Sequence, residues 1–175
     1  MRSKLEEWQS YLAKEITPRV EANSYWRHII KGIVSGTNKD IGIHLAVFVE
    51  PYLTYILNGK KTIESRFSKT RQAPYKKIAH GDILLLKKTG GDVFGLCEVS
   101  NVWFYSLDKE IFSLLRKNFS KQLCAQDPAF WKMRETSSFA TLMQVKSVLH
   151  IAPVSFSKAD RRGWVVLRTP KKSES

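Results

Sequence analysis

Lys61, Glu64 and Arg66 fall within six residues of one another and carry the clearest chemical potential in the chain. Residues 61–67 alternate as a strand, so Thr62, Glu64 and Arg66 point one way and Lys61, Ile63 and Ser65 the other. Glu64 and Arg66 share a face and can pair. A lysine, a carboxylate and a guanidinium around one concavity suit a polar, planar ligand such as a nucleobase with its phosphate. Glu64 can accept from a base amino group, and Arg66 and Lys61 can meet phosphate or carbonyl oxygens. The plainer alternative is an ion pair that clamps the fold and touches no ligand. In a catalytic version, a desolvated Lys61 beside Arg66 acts as base toward water or a hydroxyl, with Glu64 as its proton partner.

Basic residues and aromatic rings meet at two further places. Tyr75 precedes Lys76-Lys77, and Trp164 follows Arg161-Arg162. A base stacked on an exposed ring gains about 1–3 kcal/mol, and guanidinium groups add phosphate contacts. Together with Lys87 from a later strand, Tyr75, Arg161, Arg162 and Trp164 join Gly59, Lys61, Glu64 and Arg66 as candidate nucleic-acid contacts. For Trp164 the competing expectation is a core residue of the last strand. Trp103, Phe104, Phe130 and Trp131 read as core. His44 and His80 read as satisfied barrel histidines ahead of a general base. The four histidines and two cysteines show no metal-ligand spacing, so neither a metal nor another cofactor is expected. No Walker loop, nucleophile elbow, zinc-protease helix or zinc-deaminase signature occurs.

The charge points to a polyanion. The 175 residues hold 29 Lys and Arg against 16 Asp and Glu, a net charge of +13. Residues 1–50 are nearly balanced at +1, whereas residues 59–89 carry nine basic and two acidic side chains. A field that concentrated suits nucleic acid, and a solvated basic surface is the bland alternative. The longest uncharged run, Ser147 to Ser157, is far short of the ~18–20 apolar residues a membrane helix needs. Glu6, Glu7, Lys14 and Glu15 break any signal-peptide core. The expectation is a soluble, reduced, cytoplasmic protein with no membrane partner. Oligomeric state is not legible in the sequence.

The elements that must position these groups follow from hydrophobic spacing. Leu5, Trp8, Leu12 and Ile16 form a helical stripe over residues 3–16, with Ser3 as cap and Glu6 in the capping-box position, and Thr17-Pro18 interrupts it. A second helix covers Ala22 to Val34, with Trp26, Ile29, Ile30 and Ile33 on one face. Residues 36–40 form a linker. Ile43–Val49 reads as a strand, Pro51 opens a short helix, and Gly59 closes it as a left-handed C-terminal glycine. Strands follow at Lys61–Phe67, Ile83–Lys87 and Val93–Tyr105, the last two joined by a hairpin at residues 89–92. Asp108–Phe119 is amphipathic, with Ile111, Phe112, Leu114 and Leu115 inward. Residues 126–136 are a loop or short helix, and Leu142–Ile151 and Gly163–Arg168 close the fold. The sum is an α+β chain: a helical extension at 1–40, a small mixed β-barrel with short peripheral helices at 41–170, and a polar tail at 171–175.

The stretch from Val49 to Arg66, with its Pro51-led helix followed by Gly59, Lys61, Glu64 and Arg66 as G-x-K-x-x-E-x-R, resembles the signature of ASCH domains. Gly81–Leu86 and Gly95–Val99 are similar to that family's central barrel strands, and Arg161–Leu167 is similar to the end of many bacterial members. The resemblance spans about residues 41–168 and leaves out the helical front. It implies a PUA-like β-barrel and a protein that binds RNA, single-stranded or tRNA, or a nucleotide. It also implies a second possibility, because some small bacterial members hydrolyse the amide of N4-acetylcytidine or act as ribonucleases. In the amidohydrolases the motif lysine works with a threonine and a downstream glutamate. Here Lys61 is present and Glu64 stands at the threonine position. The downstream acid would fall in the helix 108–119, where Asp108 and Glu110 lie near the start. The expected function is RNA or nucleotide binding centred on the motif. The alternative is a metal-independent hydrolase of RNA or a modified nucleoside, with Lys61 and Glu64 catalytic.

Overall fold

A computed structural model describes residues 4–157 and 161–170. The Ser3–Glu6 capping box, the Leu5 side chain and the tail 171–175 lie outside the described residues and side chains.

The front of the chain is helical: α1 (Lys4–Tyr11), a π turn (Leu12–Ile16), α2 (Thr17–Val20) and α3 (Ser24–Val34). Pro18 has no N–H, and in a regular helix its ring would strike the carbonyl four residues back. The wider turn accommodates it: the backbone N–H and the hydroxyl of Thr17 both donate to Leu12 O, the hydroxyl at 2.9 Å. The interruption expected at Thr17-Pro18 is thus a π turn, through which the helical path continues past Pro18 to Val20. Asn23 starts α3 by accepting from the Trp26 N–H at 3.0 Å. Trp8, Leu12, Ile16, Val20, Trp26, Ile30 and Ile33 form one buried face, packed with Ile43, Leu45, Ile83 and Leu85 of the sheet.

The sheet has six strands: β1 (Ile43–Phe48), β2 (Ile63–Ser68), β3 (Ile83–Lys88), β4 (Val93–Ser106), β5 (Phe139–Val154) and β6 (Trp164–Arg168). Their spatial order is β2-β5-β4-β3-β1-β6. Only β1 and β3 run parallel; the other ladders are antiparallel. Breaks in register along the β4–β5 ladder, at Val93/Gly95, Leu96/Glu98 and Val99/Asn101, bend these two long strands and curl the sheet. Alternation then sorts the side chains. Ile43 and Leu45 lie under the front helices, while Ala46, Phe48, Leu84, Leu86, Cys97, Val99, Met143 and Trp164 fill the concave side with Leu53 and Ile56 of α4 (Tyr52–Leu57).

A third cluster packs α5 (Lys109–Phe119) and α6 (Pro128–Lys132) against the outer face of β2 and β5 through Leu115, Phe130, Trp131, Ile63 and Leu142. Asp108 caps α5, accepting from the Ile111 N–H at 2.8 Å. Leu115 is buried and Ile111 and Phe112 half-buried, but Leu114, expected inside, is 48% exposed because its position on α5 turns away from the cluster. Among the described residues no helix is long and apolar enough to cross a membrane, and no three His, Cys, Asp or Glu side chains gather where they could hold a metal.

Candidate functional site

The turn between α4 and β2 sets the geometry. Gly59 takes φ +78°, a conformation costly for any residue with a Cβ. Its N–H closes on Ile56 O at 3.1 Å, and the Lys61 N–H donates to Tyr55 O at 2.8 Å. Lys61 is thus pinned to the end of α4, two residues before β2 begins. That pinning frees it from strand alternation. The sequence puts Lys61 on the face opposite Glu64, yet the structure brings its ammonium to 3.4 Å from Glu64 Oε2. The ammonium also donates to Leu123 O at 3.0 Å and lies 5.5 Å from the Tyr52 ring centroid. Lys61 is 2% exposed and Glu64 4%. Burial pulls the Lys61 ammonium below the ordinary lysine range; Glu64 opposes that shift and Arg66 adds to it.

Glu64 and Arg66 do share a face, with Arg66 Nε 2.8 Å from Glu64 Oε1. The guanidinium is held further. One terminal nitrogen donates to Gly163 O at 3.0 Å and the other to Val47 O at 2.9 Å. The Phe48 and Trp164 rings each lie 5.1 Å from its central carbon. Gly163 precedes β6 and Val47 belongs to β1, so Arg66 on β2 reaches across from one edge of the curled sheet to the other. Among the described residues no strand ladder joins those edges.

A cavity of about 490 Å³ opens at this seam. Lys61, Glu64 and Arg66 line its buried end; Phe48, Tyr52, Phe67 and Phe130 form apolar walls; Thr89, Arg134, Ser137 and Arg161 border its mouth. Arg134 lies flat on Phe130, its central carbon 3.6 Å from the ring centroid, and donates to Phe130 O at 2.7 Å. Burial lowers its pKa from the usual arginine value. Sequence reasoning missed Arg134. Its only signal is the spacing of four from Phe130, which matters only once residues 128–132 are known to be helical. Ser65, Thr89 and Ser137, also in the lining, belong to no motif.

Of the other candidate residues, Arg161 borders the mouth and Trp164 backs the Arg66 guanidinium; the rest do not line the cavity. Arg162 is exposed beside Arg161. Lys87 is not a ligand-facing cation: it is 8% exposed, and its ammonium donates to Gly91 O and, at 3.4 Å, to Lys88 O, tying down the β3–β4 hairpin. Tyr75 is not an open platform, because it packs edge-on against Phe104 at 5.6 Å and tilted against Phe139 at 4.9 Å. Trp164 is 5% exposed and acts as core, the competing expectation for it. Its indole N–H donates to His44 Nδ1 at 3.2 Å, and His44 Nε2 lies 3.0 Å from Asp82 Oδ2. With both ring nitrogens occupied, His44 is a buried structural group, and it does not border the cavity. His80 Nδ1 lies 2.8 Å from Ser100 O at the surface. Neither Asp108, the α5 cap, nor Glu110 lines the cavity.

Comparison with known proteins places this geometry in a family. The chain is similar in structure to the ASCH protein of Zymomonas mobilis, with a TM-score of 0.58 at 15% identity over 72% of this chain and 87% of that one. A single-residue variant of the same Zymomonas mobilis protein aligns with a TM-score of 0.60 at 14% identity, over 74% of this chain and 91% of that one. The sequence matches no curated protein. The family model of the ASCH domain matches residues 47–155, well over half of the chain. This α+β protein, PUA-like in fold, therefore belongs to the ASCH domain family.

Proposed function

We propose that the protein binds RNA, taking one nucleotide into the cavity at the barrel seam. The observation that carries this reading is the composition of that cavity. It is of nucleotide size, has aromatic walls, and sets a buried carboxylate between two cations, with two more at the mouth. Glu64 accepts from a base amino group. Arg134, which spends one of its five donors on Phe130 O, and Arg161 meet phosphate oxygens. Lys61 and Arg66 fix the Glu64 carboxylate in place. The concentration of positive charge between residues 59 and 89 supports a polyanionic ligand longer than one nucleotide.

The test is a binding titration with single-stranded RNA and with tRNA at several salt concentrations. Affinity should fall steeply as salt rises. Arg134→Ala should weaken binding roughly tenfold, the loss of one charge-assisted contact, while leaving the fold intact. Arg134 makes a cleaner probe than Arg66, whose removal also opens the seam. RNA affinity unchanged in Arg134→Ala would remove the cavity from the binding site.

The buried Lys61 favours a second reading, a metal-independent hydrolase of RNA or of a modified nucleoside such as N4-acetylcytidine. A lysine held below its usual range is a better base at neutral pH, and Glu64 at 3.4 Å can take the proton on. Chromatography of the incubated RNA and nucleoside decides between the two. A new product that Lys61→Ala no longer forms establishes the hydrolase; retained RNA without product leaves the binding module.

A further inference from the structure

A second cavity of about 180 Å³ lies beside the first. Arg66, Phe67 and Gly163 border both, so the Arg66 side chain, tied to Gly163 O and Val47 O, stands between them as a partition. Thr141 pairs directly with Arg66 in the β2–β5 ladder and points to the same side. It is 1% exposed and borders the smaller cavity. A threonine hydroxyl is both donor and acceptor, and a ligand in this cavity would meet it. The Gln72 amide adds a donor and an acceptor to the lining.

Positive charge gathers beside that cavity. The Lys76 ammonium lies 4.8 Å from the Phe104 ring, and Phe104 is the β4 partner of Thr141. The Arg71 guanidinium lies 5.3 Å from the ring of Phe139, two residues before Thr141 on β5. A phosphodiester joining ligands in the two cavities would cross the Arg66 guanidinium.

We infer that the smaller cavity is the subsite for the neighbouring nucleotide, so that the protein grips a dinucleotide step of single-stranded RNA across Arg66. This rests on reading the main cavity as a nucleotide site. Thr141 and Gln72 pair with polar edges of the second base or its ribose, and Arg71 and Lys76 face its phosphate.

The experiment is a titration with each ribonucleoside monophosphate and each ribodinucleotide, at one high salt concentration to suppress non-specific attraction. Dinucleotides should bind roughly tenfold or more tighter than the better of their component mononucleotides, since the second contact is made intramolecularly. Thr141→Val and Gln72→Ala remove no charge, so any loss is not electrostatic. Each should abolish most of the dinucleotide advantage and leave mononucleotide affinity unchanged. Gln72 is exposed on a loop, so its variant stays informative if Thr141→Val folds poorly. Mononucleotide binding without a dinucleotide advantage overturns the second subsite and spares the first. A dinucleotide advantage untouched by both variants also overturns it. Binding of neither ligand brings down both readings.

Discussion

Lys61 is buried with a carboxylate, a backbone carbonyl and a tyrosine ring for company, an arrangement that makes its protonation a matter of folding. Because burial lowers its pKa in the folded state, the unfolded chain binds the proton more tightly. Stability from this group is therefore complete above the ordinary lysine pKa and is lost as pH falls through the depressed folded value. In the window between the two, stability should rise with pH by up to about 1.4 kcal/mol per pH unit for one proton. Lys61→Met should erase that slope. Chemical denaturation of both proteins across the alkaline range checks it, and parallel curves would mean that the fold holds the Lys61 proton as tightly as the unfolded chain does. At this scale the sequence was informative about membership and poor about direction. Lys61, Glu64 and Arg66 were identifiable from their spacing. That Lys61 faces Glu64 was not, because Lys61 belongs to the turn and not to the strand. Arg134 was invisible, since it reaches the cavity through a short helix that no periodicity announces.

Gly59 is the element-scale counterpart. Its positive φ lets α4 end and β2 begin while Lys61 stays hydrogen-bonded to Tyr55. A Cβ added there meets nothing within 4 Å, so the cost of a side chain is conformational alone. Gly59→Ala should therefore destabilise the protein by about 1–2 kcal/mol, measurable as a shift in denaturant midpoint with unchanged slope. No change would mean that the turn relaxes to another conformation. Elements whose fate depends on local patterning were legible: the Trp26–Ile33 face, the Asp108-capped helix and the hairpin at residues 89–92. Features set by a neighbour were not. Pro18 signals a break, and only the π turn before it shows how the helix passes through. Leu114 has the right spacing for a buried stripe but lies past the edge of the cluster that covers α5. The register breaks along β4 and β5, which curl the sheet, leave no mark in the alternation.

For the whole molecule, the front helices are part of the core. They share one apolar cluster with β1 and β3, and they are tied to β5 by Trp26 Nε1 donating to Ser147 O at 2.8 Å and Arg19 Nε to Ala152 O at 3.0 Å. Removing residues 1–40 would bare Ile43, Leu45, Ile83 and Leu85, an apolar face that water does not tolerate over a large area. The truncated chain should bind a hydrophobic dye and lose its cooperative thermal transition. A truncated chain that unfolds cooperatively at the full-length midpoint would make residues 41–170 a domain in its own right. The sequence showed that these helices have an apolar face and not which side of the sheet it covers.

The Arg66 bridge has a mechanical consequence. Every other join around the curled sheet is a row of backbone bonds, which resist parting together. At the join between β2 and the β1–β6 edge, the described hydrogen bonds come from the fork of Arg66 nitrogens set between two rings. Under load it behaves as a latch and not as a weld. Releasing that one side chain would free one edge from the other, with every ladder of the sheet left whole.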